Sequence, residues 1–429
     1  MSGGFKSLLA WSGKHRFFFI CLAAVLVRFA FVLIVPVGEA PDEHHHLWVI
    51  QFMRENLRLP DAGDVKAGGI DAVYGSLPQL GYLPHVFLAR LFPDEHLVLL
   101  SRCASLLMGL ITIWAGFRAG TEIFPDQPLL ASALPWVMVF HPQFAFVHSY
   151  SNNDSTAGAL AAVVLYLLVL TLKSGLAMKR CALIGALLGL LVLSKYNGLS
   201  LIPVAALSVV AAAWIHGASV AACLSCLLLV AAAGAATSLW WFWRNAHEYG
   251  LADILGIKTG YQTFARGFNR PLSYKMSPFE LLASKQWWRF LFFSFWGLFG
   301  HMTRWLWRPI YFIYLGFVAA AIVGWVRTRF ALPAARIDLA QPAIRLMFAL
   351  CILVNFTLMI ASQMGGPQGR YFFICEIPII ALLLDGLFKL GPRFGRPAVL
   401  AFLGLNVAVC IGAWIMLLRL YGLPSHLPS

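Results

Sequence analysis

Apolar residues run through this chain in long stretches, and the polar pieces between them hold most of the basic residues. The apolar runs fall near 17–36, 97–117, 129–148, 156–172, 180–194, 199–215, 218–243, 309–325, 346–362, 371–388 and 398–419. They approach or reach the roughly 17–25 helical residues that cross about 30 Å of hydrocarbon. The pattern predicts an all-α polytopic membrane protein with about 11 transmembrane helices. A further run, 290–300, is too short to cross and reads as an interfacial or re-entrant piece.

The distribution of charge orients these spans. Short cytoplasmic loops are enriched in Lys and Arg. With the amino terminus inside, the inner pieces hold Lys6, Lys14, Arg16, Arg118, Lys173, Lys179, Arg180, Arg327, Arg329, Arg336, Arg345, Lys389, Arg393 and Arg396. The short outer loops hold only Lys195 and Arg370. Counting 290–300 as a span would place the arginines of 327–345 outside, so it should not cross. Two long outer segments follow, 37–96 and 244–308, expected to cover an active site within a single 1–429 domain. Interfacial helices are expected in the first of them. The first run is long for a signal peptide, and cleavage after Ala40 would leave Pro41 as the terminus, so it is read as an uncleaved span.

Composition agrees with this picture. Of 429 residues, 60% are hydrophobic and 12% charged, against about 45–50% and 25% in soluble domains. The formal charge of +14 is dispersed between apolar runs, which points to topology and anionic lipid or phosphate, not nucleic acid. All eight cysteines lie inside apolar runs and read as small membrane-helix residues. No phosphate-cradling glycine loop of the nucleotide-hydrolase type occurs, which points away from an ATP-driven pump.

The densest chemistry follows the first span: Gly38-Glu39-Ala40-Pro41-Asp42-Glu43-His44-His45-His46-Leu47-Trp48. Pro41 suits a first helical position, which puts Asp42 and Glu43 in the first turn, where carboxylates are favoured. Leu47, Trp48, Ile50 and Phe52 suit laying that helix along the membrane surface. Acidic residues often simply start helices, but that does not explain the three histidines. A carboxylate at the mouth of a membrane cavity suits a general base for a hydroxyl. Neighbouring helical residues point about 100° apart, so His44, His45 and His46 cannot all hold one ion. Asp42, Glu43 and His46 make at most a partial metal site. The residues fix no cofactor, and a divalent cation stays open.

Three further clusters lie at outer span ends. They are His148-Ser149-Tyr150-Ser151-Asn152-Asn153-Asp154, Ser194-Lys195-Tyr196-Asn197 and Gly365-Gly366-Pro367-Gln368-Gly369-Arg370-Tyr371. The first suits hydrogen bonding to a sugar or to a neighbouring loop. Lys195 and Arg370 stand against the positive-inside trend and suit a phosphate, although Lys195 also suits snorkelling. Arg244, Arg304 and Arg308 are further candidates for an anionic headgroup. The aromatics 240–243 and 295–299 read mainly as interfacial belt residues.

Taken in order, Pro41-Asp42-Glu43-His44-His45-His46, Ser151-Asn152-Asn153-Asp154, Leu193-Ser194-Lys195-Tyr196, Phe295-Trp296-Gly297-Leu298-Phe299-Gly300 and Gln368-Gly369-Arg370-Tyr371 resemble the membrane-embedded GT-C glycosyltransferases. That class includes the aminoarabinose transferases, the protein O-mannosyltransferases and many bacterial relatives. The relatives usually place Pro after the acidic pair, where His44 stands here. The chain also carries no large soluble carboxyl-terminal region, so no separate acceptor-binding module is implied.

The resemblance implies an inverting transfer of a sugar, hexosyl or pentosyl, from a polyprenyl-phosphate donor. The acceptor hydroxyl belongs to a lipid, glycan or protein at the periplasmic face of a bacterial inner membrane. It implies Asp42, with Glu43 second, as the base, and Arg370, Lys195, Arg244 and Tyr371 on the donor phosphate. His46, His45, Asn152, Asn153, Asp154, Tyr196 and Gln368 are the expected substrate contacts. The rivals are a lipid-linked glycan transporter or flippase, and a glycan polymerase or ligase. Transporters place ionisable groups at the bilayer midplane, whereas the spans here are read as nearly uncharged apart from Arg28 and Glu376.

Overall fold

Prolines and the ends of the apolar runs set the helix boundaries. The computed structural model describes residues 15–267, 276–329, 339–362 and 368–422. Helix α1 (Arg16–Ile34) leads into an outer segment built of α2 (Glu43–Asn56), α3 (Ala62–Gly68) and α4 (Leu83–Arg90), with short 3-10 turns at Gly69–Ala72 and Leu80–Tyr82. Then come α5 (Leu97–Ile123), α6 (Pro128–Phe140), α7 (Pro142–Val147), α8 (Asp154–Ser174), α9 (Met178–Ser194), α10 (Leu201–Ile215) and α11 (Val220–Tyr249). The second outer segment holds α12 (Ile257–Gly267), α13 (Pro278–Ala283), α14 (Lys285–Trp296) and a two-residue antiparallel ribbon, β1 (Leu298–Phe299) with β2 (Arg304–Trp305). The chain closes with α15 (Arg308–Arg329), α16 (Ala340–Ala361), a 3-10 segment Gly369–Cys375, α17 (Glu376–Phe388) and α18 (Gly395–Tyr421).

Nine described segments are long and apolar enough to cross a bilayer. Two of the eleven expected runs are shorter helices, α9 with 17 residues and α6 with 13. The run expected as one span over 129–148 breaks at His141–Pro142. A residue before proline is pushed out of the α region, and His141 sits at φ −63°, ψ 109°. Pro142 also has no N–H, which deprives the Met138 carbonyl of its helical partner. The buried Arg28 guanidinium on α1 fills that gap, donating to the Met138 carbonyl at 3.3 Å and Val139 carbonyl at 3.4 Å. A charge inside the membrane span thus follows from a proline on another helix. As the short-run argument expects, α14 has 12 residues and then gives way to the ribbon.

In the first outer segment, helix α2 buries Val49, Ile50 and Met53 against Tyr82 and Val86. Of the four residues expected to lay α2 on the membrane, Ile50 is therefore packed inside the segment. The other three, Leu47, Trp48 and Phe52, stay partly exposed. Helix α2 also starts two residues later than expected. Pro41 precedes the helix, and Asp42 is the cap residue in the left-handed region, φ 60°, ψ 8°, with no side-chain cap bond. A non-glycine residue there costs of order 1–3 kcal/mol and persists only when its surroundings hold it. What holds it is the carboxylate, which turns away from the helix.

Candidate active site

The groups that hold Asp42 come from one end of the bundle. They lie at the amino-terminal ends of α8 and α17, the carboxyl-terminal end of α9 and the outer segment. Asp42 Oδ2 accepts from Arg370 Nη2 at 2.5 Å and from the Tyr74 hydroxyl at 3.1 Å. Arg370, 4% exposed, donates from Nη1 to the Tyr150 hydroxyl at 3.0 Å and lies 3.9 Å from Asp154 Oδ2. Asp154 Oδ1 is ion-paired with Lys195, the residue that ends α9. Lys195 Nζ also sits 5.4 Å from the centre of the Tyr371 ring. The result is a chain of alternating charge, Asp42–Arg370–Asp154–Lys195. Formally it is neutral.

Backbone geometry fixes the guanidinium. The Gly369 N–H donates to Ser294 Oγ at 2.8 Å. A Cβ on Gly369 would stand 2.1 Å from the Phe295 backbone nitrogen, so only glycine lets the Arg370 segment lie against α14. Below it, His141 Nδ1 meets Glu376 at 2.7 Å, and its Nε2 donates to the Phe295 carbonyl at 2.8 Å. This partner explains the buried Glu376, since a charge in a span requires one.

Glu43 is held apart from this chain. It is fully buried, with both oxygens on Arg102 at 2.8 and 2.7 Å, and it accepts the Ser151 N–H at 3.1 Å. Arg102 also grips the carbonyls of Val32, Val35 and Pro36 where α1 ends. Arg102 was missed in the sequence, although an arginine six residues into the run 97–117 is a visible signal. Among the described residues, the spans read from the apolar runs therefore hold four buried charges, at Arg28, Arg102, Glu376 and Asp385, not two.

His46 Nδ1 contacts the Tyr82 hydroxyl at 2.6 Å, and its ring stacks on Tyr74 at 4.4 Å. Burial pushes this imidazole down to about 3 despite the nearby Asp42 charge, so it is neutral at physiological pH. Burial would raise the Asp42 carboxyl, but the Arg370 guanidinium and the Tyr74 hydroxyl together hold it well below the usual carboxylate range.

The remaining expected contacts divide into two groups. Asn152 builds its own loop, donating to the Val147 and Tyr150 carbonyls at 2.7 Å each and accepting the Ser155 N–H at 2.9 Å. Tyr196 donates to the Leu255 carbonyl at 2.7 Å and accepts from Trp241 at 3.1 Å. Arg244 donates to the Pro60 carbonyl and overlies Trp241, joining the two outer segments. None of these three contacts is with the charge chain. Asn153 Nδ2 donates to the Ser194 carbonyl at 3.1 Å. The Tyr371 carbonyl accepts from Asn355 at 3.1 Å. His45 packs on His44 and toward Tyr74. Of the glycine-rich turn, 363–367 lie outside the described residues, as do Lys6, Lys14 and Arg336.

Several buried polar atoms in these clusters make no hydrogen bond among the described residues: His46 Nε2, Asn153 Oδ1, Asp154 Oδ2, Gln368 Oε1 and Arg370 Nε. An unmade buried bond costs about 1–3 kcal/mol, and water or a polar ligand supplies partners to such atoms.

No protein-family model matches the chain, and no characterised protein matches it by sequence. Solved structures do. ArnT from Cupriavidus metallidurans bound to undecaprenyl phosphate superposes with a TM-score of 0.57 at 16% identity, covering 91% of this chain and 63% of that one. ArnT in the apo state gives 0.56 at 14% identity, over 89% and 61%. The fold is GT-C-like. The chain spans a little under two thirds of the length of these structures. The archaeal oligosaccharyltransferase AglB from Archaeoglobus fulgidus gives 0.49 at 13% identity, over 97% and 57%.

Proposed function

We propose that this chain is an inverting glycosyltransferase that moves a sugar from a polyprenyl phosphate to an acceptor hydroxyl at the periplasmic face. The observation that carries the reading is the charge chain Asp42–Arg370–Asp154–Lys195 at one end of a GT-C-like bundle. A structure with this fold binds undecaprenyl phosphate, and the two cations here suit such a headgroup, whose lipid tail stays in the membrane.

Arg370 and Lys195 hold the donor phosphate, with Arg370 Nε as the donor kept free for it. Asp42 is the base because its side chain is 34% exposed, whereas that of Asp154 is 6% exposed and paired with Lys195. The acceptor oxygen attacks the anomeric carbon while its proton passes to Asp42. The bond from that carbon to the phosphate oxygen breaks, and the electron pair leaves on the polyprenyl phosphate. Arg370 and Lys195 stabilise that charge, the role expected of preorganised cations.

Phosphate binding to Arg370 draws the guanidinium off Asp42, so the donor itself releases the base. His46, Asn153 and Gln368, each with a buried unpartnered atom, are the sugar contacts. Glu43 serves as a positioning residue through Arg102. The outer segments 37–96 and 244–308 form the cover. Its contacts run from Ser76 to the Gly256 carbonyl at 2.9 Å and from the Ala62 N–H to Glu248 at 3.3 Å.

The test is mass spectrometry of envelope glycans and lipids from cells carrying Asp42→Asn beside wild type. One sugar modification should vanish while the protein still accumulates in the membrane. An unchanged profile removes Asp42 from the chemistry, and movement of a labelled lipid without bond cleavage would instead identify a flippase.

A further inference from the structure

A second cluster of ligating side chains lies on the other side of the first turn of α2. Among the described residues, His44, His45 and Asp71 bring one ligand atom each within 4.8 Å of one another. The centroids of the two imidazole rings lie 3.7 Å apart, with the planes tilted by 44°. His45 is 4% exposed and its Nδ1 has no hydrogen-bond partner among the described residues. An uncompensated imidazole nitrogen at that depth is costly unless something binds it. Neighbouring Cα–Cβ bonds diverge along a helix, but the two rings bend back together here, and Asp71 arrives from the 3-10 turn Gly69–Ala72.

We infer that His44, His45 and Asp71 form a site for a divalent transition-metal ion, with Zn2+ the matching species. Two neutral imidazoles and one carboxylate are a borderline donor set that suits Zn2+ better than Mg2+ or Ca2+, which favour all-oxygen shells. Ligands around one tetrahedral Zn2+ with bonds of about 2.0–2.1 Å stand roughly 3.3 Å apart. Rotation of His44 and Asp71, both exposed, closes the remaining gap and leaves further positions to water. The helix amino terminus disfavours a cation. The Asp71 carboxylate beside His45 offsets this.

The site has a mechanical consequence. Asp71 precedes Tyr74, which donates to Asp42, and His44 follows Asp42 across Glu43. An ion joining these residues therefore clamps the two backbone segments that aim Asp42. This role, though not the binding itself, rests on the transferase reading.

The experiment uses the full chain, purified without a polyhistidine tag, stripped with EDTA and titrated with Zn2+ by calorimetry, with metal content measured after desalting. One Zn2+ per chain is expected. His44→Ala and Asp71→Asn, at exposed positions that should fold, should each raise Kd by about tenfold or more, at least the effect of losing a supporting partner. Asp42→Asn should keep its Zn2+. Absence of Zn2+ binding at micromolar concentration, or binding that neither variant weakens, overturns the site. Loss of Zn2+ in Asp42→Asn overturns this ligand set in favour of Asp42 and His46. No sugar donor enters the assay, so its failure leaves the transferase reading standing.

Discussion

Replacing Asp42 by Asn separates two roles that share one contact. Arg370 Nη2 bonds Asp42 Oδ2 at 2.5 Å, so on the proposed reading a lipid phosphate competes with that carboxylate. Asparagine keeps the shape and can still accept one hydrogen bond, but the charge is gone. A hydrogen bond to a charged group contributes about 1.5–3 kcal/mol and a neutral one about 0.5–1.5. The difference, roughly 1–1.5 kcal/mol, corresponds to about tenfold in an equilibrium constant. Undecaprenyl phosphate should therefore bind Asp42→Asn about tenfold more tightly than wild type. Turnover should meanwhile fall about 10²–10⁴-fold, the usual contribution of a general base. Calorimetry with detergent-solubilised protein at fixed salt reads the first effect. Product formation in membranes reads the second, and thermal unfolding checks that the variant is folded. Weaker binding with undiminished turnover would refute both the competition and the base assignment.

Three other substitutions probe the supports. Arg370→Lys retains a charge but cannot reach Asp42 and Tyr150 together while offering a further N–H, so undecaprenyl phosphate affinity should fall at least about tenfold, since Lys does not replace a guanidinium fork. Glu43→Gln leaves Arg102 buried beside a neutral partner and should cost about 3 kcal/mol, the lower end for breaking a buried ion pair, read as a lowered melting temperature. Gly369→Ala forces a Cβ to 2.1 Å from the Phe295 backbone nitrogen. Overpacking of this kind costs about 1–3 kcal/mol or more, and phosphate binding should weaken along with stability because Arg370 moves.

Much of the architecture was legible because membrane helices announce themselves by run length, and all eleven runs contain helices. The nearness of Asp42, Asp154, Lys195 and Arg370 was also within reach, since the charge pattern assigns all four to span ends on one side, where Lys195 and Arg370 run against the positive-inside trend. What could not be read was geometry set by distant partners. The left-handed Asp42 carries no glycine or asparagine signature and exists because Arg370, 328 positions away, holds its carboxylate. Glu43 looks like a second base beside Asp42, yet a helical step turns it toward Arg102. The break at His141 was signalled by Pro142, and the apolar run on both sides concealed it. Pairing of His44 with His45 escaped because backbone directions were counted without the reach of the side chains.

The most direct test of the central claim is a structure of the protein with undecaprenyl phosphate bound. The phosphate should lie within hydrogen-bonding distance of both Arg370 and Lys195, with Asp42 released from Arg370 Nη2 and open toward solvent. A phosphate bound elsewhere, with the Asp42–Arg370 pair still closed, would contradict the account.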